Sequence, residues 1–253
     1  QVLGERVADL AKWEIAQRDF LHVHATGSIE KADFAALAAR LGIDHSPKFI
    51  IREYIDNMPE MLAAAVVEAR EVLDTTRDPQ LSDIVLDRWC YRDMAALAEE
   101  TGSAFLRGYV AVQVDAVNLR TAVRTLRMGK GADFLLGALL EGGDLAPDAV
   151  AKAASSGAAG LRELYGATRF RDAAEAGAEA LKGGPLTAFE KLCDDAVGDY
   201  LAGAQSVPFG EAPLVSYLAA RETEYTNLRI LLMGRAAGID PAVIRTRLRA
   251  SYV

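Results

Sequence analysis

Two histidines, a serine–lysine motif and a glycine–lysine run are the residues of this sequence that come nearest to catalytic or ligand chemistry. His22 and His24 would point about 200° apart on a helix, so they cannot face one metal ion. The Ser-x-x-Lys spacing of residues 28–31 serves acyl transfer in some enzymes, but no companion motif accompanies it, and Ser28 fits a helix N-cap. Residues 129–131 lack the spacing and the following Ser or Thr of a phosphate-binding loop. We therefore predict no catalytic residue, no cofactor and no metal site.

Charge and composition exclude further classes of function. The net charge of −8 argues against nucleic-acid binding through overall charge, because a phosphate backbone requires a basic surface. The apolar run 134–140 is far shorter than the ~20 residues that a membrane-spanning helix needs, so we expect no direct membrane insertion. Only two cysteines occur, Cys90 and Cys193, and we interpret both as small core residues of a protein from a reducing compartment.

One short sequence occurs twice in a helical context. Residues 115–121 read DAVNLRT and residues 224–230 read EYTNLRI. Asparagine is unfavourable inside a helix, so its recurrence in an apolar stretch needs a reason. We predict that Asn118 and Asn227 lie at the edge of a buried face and satisfy backbone groups of a neighbouring turn.

An acidic residue precedes each copy, and an arginine follows each asparagine. Asp87 precedes Arg120, and Glu190 precedes Arg229. Because both partners recur together, we predict the ion pairs Arg120–Asp87 and Arg229–Glu190 between adjacent helices. No nucleophile or general base recurs with them, so the predicted role of these residues is structural.

The elements that position these residues are predicted to be helices throughout. Apolar residues recur at steps of three and four, and no alternation of period two appears, so the predicted fold class is all-α. The pairs Asp78-Pro79 and Asp240-Pro241 indicate helix starts, and Gly129 and Gly183 indicate helix ends. The predicted helices span residues 5–25, 31–41, 48–57, 59–76, 79–101, 103–128, 132–140, 147–155, 158–165, 170–182, 186–205, 211–236 and 241–252.

The repeat extends beyond the Asn-Leu-Arg sequence and predicts the domain organisation. Residues 86–90 match residues 189–193, and each match is followed by a long helix with Asn-Leu-Arg. The apolar stripes of these two helices also correspond: Phe105, Tyr109, Leu119 and Val123 match Leu214, Leu218, Leu228 and Leu232. Such repeats indicate a helical unit that is used several times. We predict three units: residues 1–46, the carboxy-terminal part of an incomplete first unit; residues 47–184, a second; and residues 185–253, a third that closes onto the first.

The order of these motifs resembles the C subunit of bacterial and archaeal V-type (A-type) ATPases, the counterpart of the eukaryotic d subunit. The likeness extends over about residues 48–253. It is carried by the Asp-x-x-Asn-Leu-Arg helix and by residues 86–89, 140–143, 189–191, 208–214, 224–229 and 248–253.

The resemblance implies an all-helical funnel of three similar units around a pseudo-threefold axis. It further implies a non-catalytic rotor subunit, a socket between the central shaft (the D and F subunits) and the proteolipid ring in the membrane. Such a subunit takes part in ion transport linked to ATP synthesis or hydrolysis. It would be cytoplasmic and peripheral on the cytoplasmic face of the membrane, without an enzymatic activity of its own.

Two other functions are compatible with an all-α chain. A helical-repeat scaffold that binds a partner helix would show a period of ~34–45 residues, whereas the copies here lie further apart. An all-α lyase or hydrolase would need convergent titratable groups in a cleft, and the sequence offers none.

Overall fold

The computed structural model describes residues 60–250, and this part of the chain is all-α, which confirms the predicted fold class. The chain divides into two compact units, residues 1–63 and 64–253, and the fold described here is that of the second. Residues 60–250 contain no strand and one 3₁₀ helix, Gly203–Ser206. The predicted helices 5–25, 31–41 and 48–57 lie outside the described residues. The α-helices are α1 (Glu60–Thr76), α2 (Pro79–Glu100), α3 (Ala104–Arg127), α4 (Ala132–Ala138), α5 (Pro147–Ser155), α6 (Gly157–Tyr165), α7 (Arg171–Leu181), α8 (Thr187–Ala202), α9 (Glu211–Ala236) and α10 (Pro241–Arg247).

Local capping interactions explain where several of these helices begin and end. Asp78 accepts a hydrogen bond from the Gln80 N–H at 2.9 Å, and Asp240 accepts one from the Ala242 N–H at 2.7 Å. Each capping aspartate precedes a proline at the first helical position, as predicted. Gly129 follows α3 with φ of +67°, a conformation that favours glycine because it has no Cβ.

Two of the helices that are shorter than predicted end early for the same reason. The helix predicted over 132–140 ends at Ala138, and the one predicted over 241–252 ends at Arg247. The next residues, Leu139 and Leu248, are extended, with ψ of 147° and 135°. In both cases the residue that follows gives its backbone N–H and carbonyl to an asparagine of a long helix, so the chain cannot continue helical hydrogen bonding.

The main hydrophobic core surrounds α3. The side chains of Val112, Ala116, Leu119 and Val123 are at most 3% exposed. They belong to one cluster with residues from α5 to α8, among them Val150, Tyr165, Phe170, Phe189 and Cys193. The central position of α3 follows from its wide apolar face, which neighbouring helices cover from several sides.

A glycine on α7 permits a close approach between helices in this core. A Cβ at Gly177 would lie 2.9 Å from Val123 Cγ2 and 3.1 Å from Phe189 Cδ2. Such contacts are shorter than packed carbon atoms tolerate, so a larger residue would separate α7 from α3 and α8.

The helix α8 joins the two predicted repeat units. It packs against α3, which lies before the predicted boundary at 184/185, and also against α9, which lies after it. The boundary therefore stays a prediction about where the sequence repeats, and α3, α8 and α9 share one compact unit.

Candidate functional site

The asparagine of the first Asn-Leu-Arg sequence fastens a neighbouring segment to α3. Asn118 is fully buried, and its Nδ2 donates to the Leu140 carbonyl at 2.8 Å. The Leu140 N–H donates in return to Asn118 Oδ1 at 2.8 Å. One side chain thus satisfies both backbone groups of a residue that would otherwise be buried without partners.

The asparagine of the second sequence makes the same two hydrogen bonds. Asn227 Nδ2 donates to the Arg249 carbonyl at 3.1 Å, and the Arg249 N–H donates to Asn227 Oδ1 at 2.8 Å. Both asparagines bind the residue 22 positions further along the chain. The recurrence of this spacing and of the extended leucine before it shows that the sequence repeat is also a repeat of local structure.

The predicted ion pair between Arg120 and Asp87 is wrong, because Arg120 binds acids of α8 instead. Its Nη2 contacts Asp194, and its Nε lies 3.2 Å from Glu190 Oε2, at an angle that is not that of a hydrogen bond. Arg124, one turn later, lies 2.7 Å from Glu190 Oε1. Arg120 and Arg124 reach the acids of α8 because α8 packs against this face of α3.

The predicted ion pair between Arg229 and Glu190 is also absent among residues 60–250. Glu190 is held by Arg120 and Arg124 on α3. Arg229 lies on the exposed side of α9, and no ion pair of the described residues includes it. The repeat therefore places two arginines at matching positions, but among residues 60–250 only Arg120 has an acidic partner.

Acidic residues of α8 also hold the segment after α10. Arg249 Nε lies 2.7 Å from Asp194 Oδ2, and the Ala250 N–H donates to Asp195 Oδ1 at 2.8 Å. Lys191 pairs with Asp195 on the same helix. Asp194 thus joins Arg120 of α3 and Arg249 of the terminal segment, and we call this group, with Glu190 and Arg124, the α8 ion-pair cluster.

Asp87 lies elsewhere, in a cleft of about 590 Å³ that α2, α3 and α4 line. Its side chain remains accessible to solvent, and no ion pair of the described residues includes it. Partial burial in the cleft raises its pKa, and the charge of Asp83, one turn earlier, raises it further.

Cys90 and Cys193, at matching positions of the repeat, differ in burial. Cys193 is fully buried against α3, and burial raises the pKa of its thiol to about 12. Cys90 is exposed, so its interpretation as a core residue is wrong. The faces of α8 and α2 that carry these cysteines have different neighbours, and the neighbouring helix determines how exposed each cysteine is.

A buried aspartate that sequence reasoning missed fixes the loop before α5. Asp115 is 3% exposed and accepts hydrogen bonds from the Asp144 N–H at 3.1 Å and the Leu145 N–H at 3.2 Å. Burial raises its pKa to about 6 although both hydrogen bonds favour the carboxylate. The sequence did contain a signal for this residue, because an acidic residue stands three positions before the asparagine in both copies, as Asp115 and as Glu224.

Residues 60–250 contain no group of three or more potential metal-ligating side chains. Within the same residues, no helix has the length and hydropathy needed to cross a membrane. The side chains gathered here fasten helices to each other and to the connecting segments.

Together these features define an all-α protein in which one helical arrangement, held by an asparagine of a long helix, occurs twice. The sequence model of the ATP synthase (C/AC39) subunit family matches residues 22–247, which is most of the chain. The chain belongs to this family, as the order of its motifs predicted.

Curated relatives agree with the family match. The C subunit of the V-type sodium ATPase of Enterococcus hirae is 24% identical over 201 residues, covering 77% of this chain and 59% of the relative. The C subunit of the A-type ATP synthase of Haloferax volcanii is 30% identical over 144 residues, covering 56% and 41%. The C subunit of the V-type ATP synthase of Thermus thermophilus is 28% identical over 187 residues, covering 69% and 51%.

The chain spans about half the length of the curated relatives that it matches. No solved structure matches it at a significant level.

Proposed function

We propose that this chain is a non-catalytic rotor subunit of a V-type ATPase, a socket that couples the central shaft to the proteolipid ring in the membrane. The observation that carries the proposal is the family match over residues 22–247, together with relatives named as C subunits of V-type and A-type complexes. The partners would be the D and F subunits of the shaft and the ring. Its work would be to transmit rotation during ion transport linked to ATP synthesis or hydrolysis.

Helix packing in the described residues supports a role that requires stiffness. Transmission of torque needs a body that does not deform, and close-packed helices resist deformation. The α8 ion-pair cluster adds cross-links among three parts of the chain, since Asp194 binds both Arg120 and Arg249. Asn118 and Asn227 fix the segments between helices in the same way in both copies.

We further propose that residues 47–184 and 185–253 are two complete units and that residues 1–46 belong to a third. In this arrangement the units surround a pseudo-threefold axis and form a funnel. The recurrence of the asparagine hydrogen bonds supports two equivalent units. The chain would lie on the cytoplasmic face of the membrane as a peripheral component, without lipid insertion and without nucleic-acid contacts.

Reconstitution tests the proposed function. Membrane vesicles that carry the rotary complex without its C subunit are supplied with this chain, and ATP hydrolysis and ion uptake are measured together. We expect the chain to co-purify with the D and F subunits and to restore ion uptake per ATP hydrolysed. A chain that neither binds the D and F subunits nor restores coupled uptake would contradict the proposal. The purified chain alone is expected to hydrolyse no ATP.

A helical-repeat scaffold for a partner helix is the second candidate. It is favoured by the exposed apolar residues of α9, which suit a helical ligand. The two functions separate in the same experiment, because a scaffold would bind a helix without restoring coupled ion uptake.

A further inference from the structure

The segment between α4 and α5 is held to α3 at two points, and only one of them can change its charge. Asn118 binds both backbone groups of Leu140. About one helical turn earlier, Asp115 accepts hydrogen bonds from the N–H groups of Asp144 and Leu145. Residues 141–145, which we call the α4–α5 loop, therefore run from an anchor that cannot ionise to one that can.

The α4–α5 loop packs directly on the Asp115 carboxyl. A Cβ at Gly143 would overlap Asp115 Oδ1 and would lie 3.2 Å from Val114 Cγ1. Asp115 is 3% exposed, whereas Glu141 and Asp144 of the loop are exposed. The loop therefore helps to keep water away from this carboxyl.

No positive charge compensates the Asp115 carboxylate among residues 60–250. None of the ion pairs of these residues includes Asp115, and the neighbouring charge that acts on it is the negative charge of Asp144. On α6 it faces Tyr165, whose hydroxyl has no hydrogen-bond partner among the described residues. Burial and the charge of Asp115 raise the pKa of Tyr165, and burial raises the pKa of Cys193 on α8 to about 12. Near neutral pH, Tyr165 and Cys193 therefore stay uncharged.

Ionisation of Asp115 opposes closure of the loop. A buried carboxylate costs free energy unless charges or hydrogen bonds compensate it, and here two backbone N–H groups compensate it only in part. Burial accordingly raises the pKa of Asp115 to about 6. A protonated carboxyl keeps acceptor capacity for the loop and carries no charge, so protonation favours the closed loop.

We propose that Asp115 and the α4–α5 loop form a proton-sensitive latch, in which the loop closes over the neutral carboxyl and loosens when the carboxyl ionises. Asn118 keeps Leu140 in place in both states, so the movement is confined to the loop. The open state exposes the carboxylate and the N–H groups of Asp144 and Leu145 to water. The latch does not depend on the rotor function, because it uses only contacts within this chain.

Amide hydrogen exchange of the full 253-residue chain tests the latch. The pKa of Asp115 is about 6 in the closed state, and the ordinary value of 3.8 applies in the open state. The stabilisation of the closed loop is therefore fully present below pH 3.8 and is lost as the pH rises through 6. After correction for intrinsic exchange rates, the protection factors of the Asp144 and Leu145 amides should fall about tenfold between pH 5 and pH 7.

Low concentrations of urea distinguish opening of the loop from unfolding of the whole unit. Opening of a short loop exposes little surface, so the protection factors of the Asp144 and Leu145 amides should not depend on urea. The Leu140 amide, held by Asn118, should be better protected and should lose protection with urea.

Three variants identify the titrating group. Asp115→Asn keeps the shape and an acceptor but cannot ionise, so the pH dependence at the Asp144 and Leu145 amides should disappear. Asp144→Asn leaves the buried side chain intact and removes the neighbouring negative charge, so the change in protection should move to lower pH. Asp148→Asn, at an exposed acid of α5, is the matched control and should behave as the wild-type chain does.

Three results would overturn the latch. The first is protection of the Asp144 and Leu145 amides that stays constant between pH 5 and pH 7. The second is the same protection and the same urea dependence at these amides and at Leu140, which would show that the loop opens only with the whole unit. The third is an unchanged pH dependence in Asp115→Asn, which would assign the titration to another group.

Discussion

Removal of the Asn118 side chain should destabilise the protein more than removal of its counterpart Asn227. Asn118→Ala deletes two hydrogen bonds of 2.8 Å and leaves the N–H and carbonyl of Leu140 in a dry environment. At ~1 kcal/mol net for each hydrogen bond and ~1 kcal/mol or more for the unsatisfied groups, the expected loss in the free energy of unfolding is about 3 kcal/mol.

Asn227→Ala deletes the same pair of hydrogen bonds where solvent can replace them. Asn227 is half-buried, and its bond to the Arg249 carbonyl is longer, at 3.1 Å. Because water satisfies the freed groups of Arg249, the expected loss is ~1 kcal/mol. The difference of about 2 kcal/mol between two chemically identical substitutions isolates the effect of burial.

Urea unfolding and amide hydrogen exchange measure this pair of substitutions. The Leu140 amide should lose protection in Asn118→Ala, and the Arg249 amide should lose it in Asn227→Ala. Asn118→Leu is the control for the cavity, since it fills the space but makes no hydrogen bond. The reasoning fails if Asn118→Ala costs no more than Asn227→Ala, or if the Leu140 amide remains protected in Asn118→Ala.

Three further predictions concern the ion pairs, the buried carboxylate and the thiols. Arg120→Ala should lower the free energy of unfolding by about 2 kcal/mol, because Glu190 and Asp194 are only partly exposed. Urea unfolding measures this loss, and a loss no larger than that of Arg171→Ala, at an exposed arginine, would contradict the prediction. The pKa of Asp115 is raised to about 6 in the folded protein, whereas the ordinary carboxyl pKa of 3.8 applies in the unfolded chain. The contribution of Asp115 to the free energy of unfolding is therefore fully present below pH 3.8 and is lost as the pH rises through 6. Asp115→Asn should remove this pH dependence of the unfolding midpoint. Of the two cysteines, only Cys90 should react with a thiol reagent in the native protein, because Cys193 is buried with its pKa raised to about 12; modification of both at equal rates would show the burial to be wrong.

The sequence by itself determined most of the local structure of residues 60–250. The predicted α5 and α9, residues 147–155 and 211–236, have the observed bounds, and most other helix ends differ by one to three residues. These features depend on apolar periodicity and on caps such as Asp78 and Asp240, which act between residues a few positions apart. The recurrence of Asn-Leu-Arg likewise predicted a repeated unit before any contact was known.

Only the tertiary structure decided the partners of these elements. Sequence paired Arg120 with Asp87, whereas helix packing directs it to Glu190 and Asp194 on α8. Helix ends at Ala138 and Arg247 could not be predicted either, since side chains 22 residues away compete for the backbone of Leu140 and Arg249. Tertiary structure also decides why the apolar stripe of α3 is buried and that of α9 is exposed. Periodicity fixes which face of a helix is apolar, but burial depends on whether another helix lies against that face.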